Sequence, residues 1–225
     1  MLSKRLLQLV HCIPPDSRVA DIGTDHGTIP IYLVHNQVAK HVIAGDIGER
    51  PLAGARKNIE TKLGLKHGID LRCGNGLTVL ETGEVDAVII AGMGGQRIQA
   101  ILSHNLVHSR SFGRFILQPN KGWIELRQFL WANGFAIEDE HMLMENNQIF
   151  LTVVAVVGLQ IGDYLDAVGG PILRHSNSSA LLHWLHKRAD TICGILDAHP
   201  ERRFPALRRE YAAVLQLIRE HTGHD

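Results

Sequence analysis

Several familiar protein classes are set aside by what this sequence lacks. Its three cysteines, Cys12, Cys73 and Cys193, are far apart, odd in number and without a C-x-x-C pair. Neither a disulfide framework nor a zinc ribbon is therefore expected, and a reducing cytosol fits best. No stretch approaches the ~20 apolar residues of a membrane span. The opening "MLSKRLLQLVHCIPP" has its apolar run broken at Gln8 and no small-residue cleavage site after it. A soluble protein is expected, starting with a short amphipathic helix that carries Leu2, Leu6, Leu9 and Ile13 on one face. Net charge is missing too, since 23 basic residues balance 23 acidic ones. That counts against a broad electrostatic nucleic-acid binder and leaves local patches open. Internal repeats and low-complexity segments are absent. So is a complete G-x-G-x-x-G: Gly23 and Gly27 flank T-D-H, and Asp25 stands where the middle glycine belongs. A carboxylate there repels a pyrophosphate, which makes a nicotinamide dinucleotide the least expected ligand.

What is present is one core's worth of chain, 225 residues of which 45% are hydrophobic, with room for a small appendage. Short β-rich runs recur at 18–23, 41–46, 69–74, 85–92 and 114–118. Helical patterns separate them, notably "PLAGARKNIETK" with Pro51 in its first turn, "QRIQAILSH", and "WIELRQFLWANG" closed by Gly134. This alternation predicts an α/β protein with a parallel, doubly wound sheet. The rhythm then changes, because "FAIEDEHMLM" and "QIFLTVVAVV" are joined only by "ENNQ", too short for a crossover helix. A terminal antiparallel hairpin is expected there, giving seven strands in all.

After Gly158 the sequence loosens, and Gly169-Gly170-Pro171 reads as a boundary. Two units follow from this: residues 1–160 as the catalytic-sized domain and 172–225 as a C-terminal helical region. In the latter, Leu182, Leu185, Ala189, Ile192 and Leu196, then Leu207, Tyr211, Val214 and Ile218, recur at steps of three and four. Joined across "AHPERRFP", they suggest an antiparallel helical hairpin or short coiled coil. Residues 171–225 hold eight Lys or Arg against six Asp or Glu. That mild basic bias suits solvated helix faces and an RNA contact equally.

The loops after the strands carry the chemistry. "DIGTDHG" crowds Asp21, Asp25 and His26 into a glycine turn. A ligand bearing an ammonium and a sulfonium, and no phosphate, would welcome those carboxylates, and S-adenosylmethionine is such a ligand. Asp46 ends the second strand pattern, where an acidic residue can accept both hydroxyls of a ribose or cap the following helix. "CGNGL" offers Asn75 to an adenine edge between Gly74 and Gly76, or simply an Asn-Gly turn. The fourth strand ends in Gly92, Met93, Gly94 and Gly95, and the fifth in Pro119 and Asn120. Dense glycines suggest close approach of a flat ligand or a tight turn, and Asn120 a polar contact for a substrate base. In a sheet of this kind these loops converge on one crevice. His183 and His186 share a helix face without a third ligand, so no metal site is expected.

Taken together, "LSKRL", "ADIGTDHGTIPIYLV", "IAGDI", "GNGL", "IAGMGG", "LQPN", "NGF" and "NQIFLTVVAV" resemble the bacterial tRNA adenine-22 N1-methyltransferase family. The resemblance runs more weakly through "VGGPIL" into the tail. It implies a class I methyltransferase fold, Rossmann-like, that uses S-adenosylmethionine to methylate an adenosine in the D-loop region of tRNA, in the cytoplasm. The family's essential aspartate matches Asp25. Carried over residue by residue, the resemblance and the loop reading give a cofactor set of Asp21, Ile22, Gly23, His26, Gly27, Asp46, Ile47, Asn75, Gly76, Gly92 and Met93. Gly94, Gly95 and Pro119 are expected to touch the substrate base, and Asp25 with Asn120 to act in catalysis. His26 is expected to hydrogen-bond within the turn rather than act as a catalyst. Two departures stand out: "GNGL" replaces the family's common "GDGL", and Thr28 replaces an aromatic residue. A methyltransferase of the same fold with another RNA or a small molecule as substrate remains open at this point. So does a non-catalytic adaptor that binds cofactor or RNA, and the oligomeric state is likewise open, a monomer included.

Overall fold

The computed structural model describes residues 2–65 and 68–223, so Met1 of the opening helix reading and the last two residues of the tail lie outside it. Seven strands form one sheet: β1 (Val19–Ile22), β2 (Val42–Asp46), β3 (Ile69–Cys73), β4 (Ala87–Met93), β5 (Arg114–Pro119), β6 (Phe135–Glu145) and β7 (Gln148–Val157). Their spatial order is β3-β2-β1-β4-β5-β7-β6. The first five pair in parallel, and β7 runs antiparallel to both β5 and β6. The α/β expectation and the terminal hairpin are both met. The hairpin turns through Asn146 and Asn147, both at positive φ, 50° and 61°. Asparagine tolerates that backbone, and two such residues match the twist of the strands they join.

Helices cover both faces, which is why the central strands read as unbroken apolar runs. They are α1 (Lys4–His11), α2 (Thr28–His35), α3 (Glu49–Leu63), α4 (Gly95–Ser103), α5 (Leu106–Ser109) and α6 (Trp123–Ala132). On one face Val19, Ile89 and Ile116 bury against Leu9, Ile29 and Leu33. On the other, alternate residues Ala20, Ile22, Val88, Ile90, Phe115 and Leu117 bury against Ile98, Leu126 and Leu130. The period of two along each strand sends neighbours to opposite layers. Helix α1 is shorter than its apolar pattern: Leu2 and Ile13 flank it and still pack on the same cluster as Leu6 and Leu9. Its first amides, of Lys4 and Arg5, donate to the two carboxylate oxygens of Glu145 at the hairpin end, at 2.7 and 3.4 Å. A carboxylate on a helix N-terminus is the favourable arrangement of charge.

The tail comprises α7 (Tyr164–Gly169), α8 (Ser179–Ala198) and α9 (Pro205–Thr222). Helices α8 and α9 form a helical hairpin clasped by Arg188, whose guanidinium donates to both Glu210 oxygens at 2.6 and 2.9 Å. The buried stripe keeps Leu185, Ala189, Ile192 and Val214 of the expected one and departs from it elsewhere. Leu181, Leu185, Ala189 and Ile192 are buried on α8, and Ala213, Val214 and Leu217 on α9, while Leu182, Leu196 and Ile218 are half-buried. The reason is that α8 faces the sheet as well as α9, so its buried stripe is set by two neighbours. Leu181, Leu185, Val214 and Leu217 join the same apolar cluster as Phe115 and Leu117 of the sheet.

A buried ion pair anchors this tail. Arg127 of α6 donates to Glu140 of β6 at 2.7 Å, and neither side chain is exposed at all. The same guanidinium donates to the carbonyls of Ala167 and Val168, at 2.9 and 3.2 Å, and Glu140 accepts from the Ile172 amide. Gly170, at φ +87°, lies so close that a Cβ there would stand 2.4 Å from a Glu140 oxygen. The second glycine of the pair read from sequence as a boundary is thus pressed against a buried charge pair, while Gly169 packs on Leu217 and Arg174.

Candidate active site

Strand order reverses between β1 and β4, and a crevice opens at their carboxyl ends, as such a sheet requires. A cavity of about 590 Å³ occupies it. Asp21, near the end of β1, is 4% exposed. Burial pushes its carboxyl up to about 7, and the Asp46 carboxylate acts in the same direction. The Thr24 hydroxyl, close enough to temper that rise, is buried and makes no hydrogen bond of good geometry among the described residues. The turn itself is pinned to β2, because the amides of Gly23 and Thr24 both donate to the Gly45 carbonyl, at 2.8 and 3.1 Å. Asp25 follows at φ 50°, a backbone state that aspartate tolerates and most residues do not. Its amide donates to Asp46 at 3.3 Å, leaving its own carboxylate 67% exposed on the cavity wall.

His26 Nε2 lies 3.5 Å from that carboxylate and is equally exposed. The histidine therefore meets Asp25 at the mouth of the cavity, while its backbone carbonyl accepts from Asn58. Gly27, at φ 69°, begins α2. Asp46 accepts from the Gly48 amide at 2.9 Å. Gly48 is the N-terminal cap of α3, so Asp46 braces the turn before the helix rather than capping it. Gly92, at φ +75°, has no atom within 4 Å of where a Cβ would stand, and lines the cavity with bare backbone. Gly23 is bare for a different reason: the Met93 methyl would lie 2.2 Å from its Cβ. Met93 and Gly94 share this wall.

The remaining expected residues are dispersed. Asn120 donates from its amide Nδ2 to the Gly92 carbonyl at 2.7 Å and from its backbone to the Met93 carbonyl at 2.8 Å. Its side chain lines a second cavity, of about 580 Å³, between the β6–β7 hairpin and α8. Asn75 lines a smaller one of about 270 Å³. Arg97 belongs to the walls of both that cavity and the first, so the two adjoin. Gly76, at φ +57°, packs on Ile101. Ile47 is 58% exposed beside Asp46. Ile22 is buried in the core.

Two expected substrate contacts are buried. Pro119 is buried, its carbonyl accepting from the Trp123 indole at 2.8 Å. Gly95 is buried where a Cβ would stand 2.5 Å from the Gly122 carbonyl, and its amide donates to Lys121. Both are bare or rigid because the loops after β4 and β5 press together, which dense glycine in a sequence cannot distinguish from ligand approach. Conversely, Arg5, Thr24 and Arg97 line the first cavity without having been singled out. Arg5 reaches it from α1, held by Gln118 at 2.8 Å and lying over the Phe150 ring at 5.2 Å. No local pattern announces a side chain delivered from so far away in the chain.

The chemistry of the first cavity suits a ligand with cationic and hydroxyl groups: three carboxylates, an unpartnered hydroxyl and a bare glycine backbone converge there. Among the described residues no three His, Cys, Asp or Glu side chains gather as a metal site, and none of the helices is long and apolar enough to cross a membrane. The family model described as a methyltransferase domain matches residues 2–153. A tRNA (adenine(22)-N(1))-methyltransferase of Bacillus subtilis is 36% identical over 99% of this chain and 98% of its own length. A Streptococcus pneumoniae protein solved with S-adenosyl-L-methionine is 30% identical, with a TM-score of 0.88 over 97% of this chain and 100% of that one. The M. capricolum TrmK structure, in complex with S-adenosyl-homocysteine, is 26% identical with a TM-score of 0.80, over 100% and 97% of the two chains.

Proposed function

This chain belongs to the tRNA (adenine(22)-N(1))-methyltransferase family, and on that premise we propose how its residues divide the work. The protein transfers a methyl group from S-adenosylmethionine to N1 of adenosine 22 of tRNA. The observation that carries the assignment of roles is the exposed Asp25 carboxylate held by a strained turn on the wall of the cofactor-sized cavity. When bound, S-adenosylmethionine supplies a methyl group on a sulfonium. Asp21 and Asp46 would hold its cationic and hydroxyl groups, with the Thr24 hydroxyl as a further partner, and Asn75 the adenine edge across Arg97. His26, Gly23, Gly27, Gly76, Ile47, Gly92 and Met93 complete that set by backbone or apolar contact.

Adenine N1 carries a lone pair and no proton at neutral pH, so no base has to remove one before attack. Catalysis then consists of alignment, exclusion of water and compensation of the positive charge that the base acquires. Asp25 accepts a hydrogen bond from the exocyclic amine and offsets that charge. Asn120, its Nδ2 engaged by Gly92, keeps its Oδ1 to accept from the same edge. Gly94 borders the path between them. N1 lies on the Watson-Crick edge, so the adenosine must leave any pair before it reaches this site. In the same proposal residues 1–160 perform the transfer, residues 172–225 grip the RNA, and the protein works in the cytoplasm with its substrate.

Nucleoside mass spectrometry tests the reading. Unmodified tRNA bearing adenosine at position 22 should yield 1-methyladenosine on incubation with the protein and S-adenosylmethionine. The same tRNA with guanosine at 22 should yield none, and product from both would refute the assigned position.

A further inference from the structure

We infer that the cavity between the β6–β7 hairpin and α8 is a second nucleotide subsite, which takes the base and phosphate of a residue adjacent in the RNA to the methylated adenosine. The inference rests on the tRNA reading above. The cavity's volume of about 580 Å³ accommodates a nucleotide. Its ionisable lining is entirely basic among the described residues, Lys187 and Arg188, with no carboxylate in the wall. Arg188 is neutralised by Glu210, whereas Lys187 makes no ion pair among the described residues, which leaves its cation for a phosphate. The floor is aromatic. Trp123 is 8% exposed and fixed by its hydrogen bond to Pro119, and half-buried Trp184 lies against it with ring centroids 5.1 Å apart. The hairpin adds the exposed amides of Asn147 and Gln148, which can read a base edge.

Aromatic faces beside a cation are what single-stranded nucleic acid uses, because every base has a face to stack. The location supplies the reason. A target base drawn out of its stack leaves its neighbour without a stacking partner, and a platform next to the reaction site restores one. The cavity shares no lining residue with the cofactor cavity, so a base on Trp184 is not the one methylated. Asn120, hydrogen-bonded to Gly92 of the first cavity and lining the second, marks where one RNA strand passes between them.

The test measures methylation of unmodified tRNA by full-length protein at saturating cofactor. Trp184→Ala should raise KM for tRNA about tenfold, the scale of one lost base stack, with kcat and the cofactor Kd within twofold of wild type. Trp184→Phe should recover most of the loss. An abasic residue on one side of the target should raise KM of the wild type as much, and Trp184→Ala should add nothing to it. An unchanged KM for Trp184→Ala, or full additivity with both abasic substrates, overturns the subsite. If Trp184→Ala lowers the thermal midpoint sharply, Lys187→Ala on the exposed helix face decides instead. It should raise KM and reduce the dependence of log affinity on log salt by about one, and an unchanged salt slope overturns the subsite. A wild-type protein that leaves tRNA unmethylated fails at the first control, and overturns the tRNA reading and the subsite together.

Discussion

Two cavities of nearly equal volume, about 590 and 580 Å³, lie on either side of the loops after β4 and β5; each has two cations in its wall, and carboxylates face them only in the first. The first is lined by Asp21, Asp25 and Asp46 against Arg5 and Arg97. The second has Lys187 and Arg188, three aromatic rings and no carboxylate among its described lining. The difference comes from who builds each wall. The carboxyl ends of β1 and β2 supply Asp21 and Asp46, and the turn after β1, pinned to the Gly45 carbonyl, supplies Asp25. The hairpin and the tail helix supply the rings and cations. One sheet edge therefore presents a surface for a cationic small molecule beside a surface for an anionic chain, and no net charge on the protein is needed for either.

The comparison breaks most severely if the second wall loses its anchor. Glu140→Ala leaves Arg127 buried without its carboxylate, and should lower unfolding stability by about 3–5 kcal/mol in denaturant titration. Wherever folding survives, tRNA affinity should fall further than cofactor affinity, since the tail is what the pair holds. Next comes Asp25→Asn, which preserves the left-handed turn because asparagine tolerates it. Single-turnover methylation should slow about 10²–10³-fold, the range for one lost electrostatic group, with cofactor Kd nearly unchanged by calorimetry. Near-normal turnover would remove Asp25 from its role.

A smaller effect sharpens the acid side through pH. Asp21 is raised by burial to about 7, above its unfolded value, so the folded chain binds the extra proton. Its contribution to stability is present in full below the ordinary carboxylate range and is lost as pH rises through about 7. A cationic ligand prefers the ionised form, so cofactor affinity should tighten toward higher pH, by up to about tenfold per unit below that midpoint. Asp21→Asn should flatten both profiles, and equal slopes for the two proteins would detach the titration from this residue. The smallest change concerns salt. Raising ionic strength should weaken tRNA binding strongly while leaving cofactor binding within a few-fold, because only one ligand is a polyanion. Parallel weakening of both would erase the contrast between the two walls.

Much of this was legible in the residues. Five β-rich runs spaced by helical patterns, then two runs joined by "ENNQ", specified seven strands and the direction of the last pair, because period and loop length are local properties. The spatial order was not, since pairing depends on crossovers that leave no local mark. Short elements such as Leu106–Ser109 and Tyr164–Gly169 span too few residues to show a period. In the site, Asp21, Asp25, Asp46 and Gly92 stood out because strand ends followed by glycine and acid are visible in the chain. For Gly95 the chain gives no such signal, since a glycine needed for packing against Lys121 and Gly122 looks the same as one needed for a ligand. Arg5 and Trp184 were silent as site residues, for their meaning lies in what the fold brings beside them.

Among the described residues, hydrogen bonds join the end of β4 and the start of α4 to the loop after β5: Asn120 to the carbonyls of Gly92 and Met93, and Gly95 to Lys121. The two cavities are thus separated by a single shared partition rather than by two independent walls. Thermodynamic linkage then governs their occupancy: if methyl donor moves that partition so as to favour RNA by some factor, RNA must favour donor by the same factor. After transfer the demethylated donor and the nucleotide next to the methylated one occupy opposite sides of the same partition, and the departure of each bears on the residence time of the other.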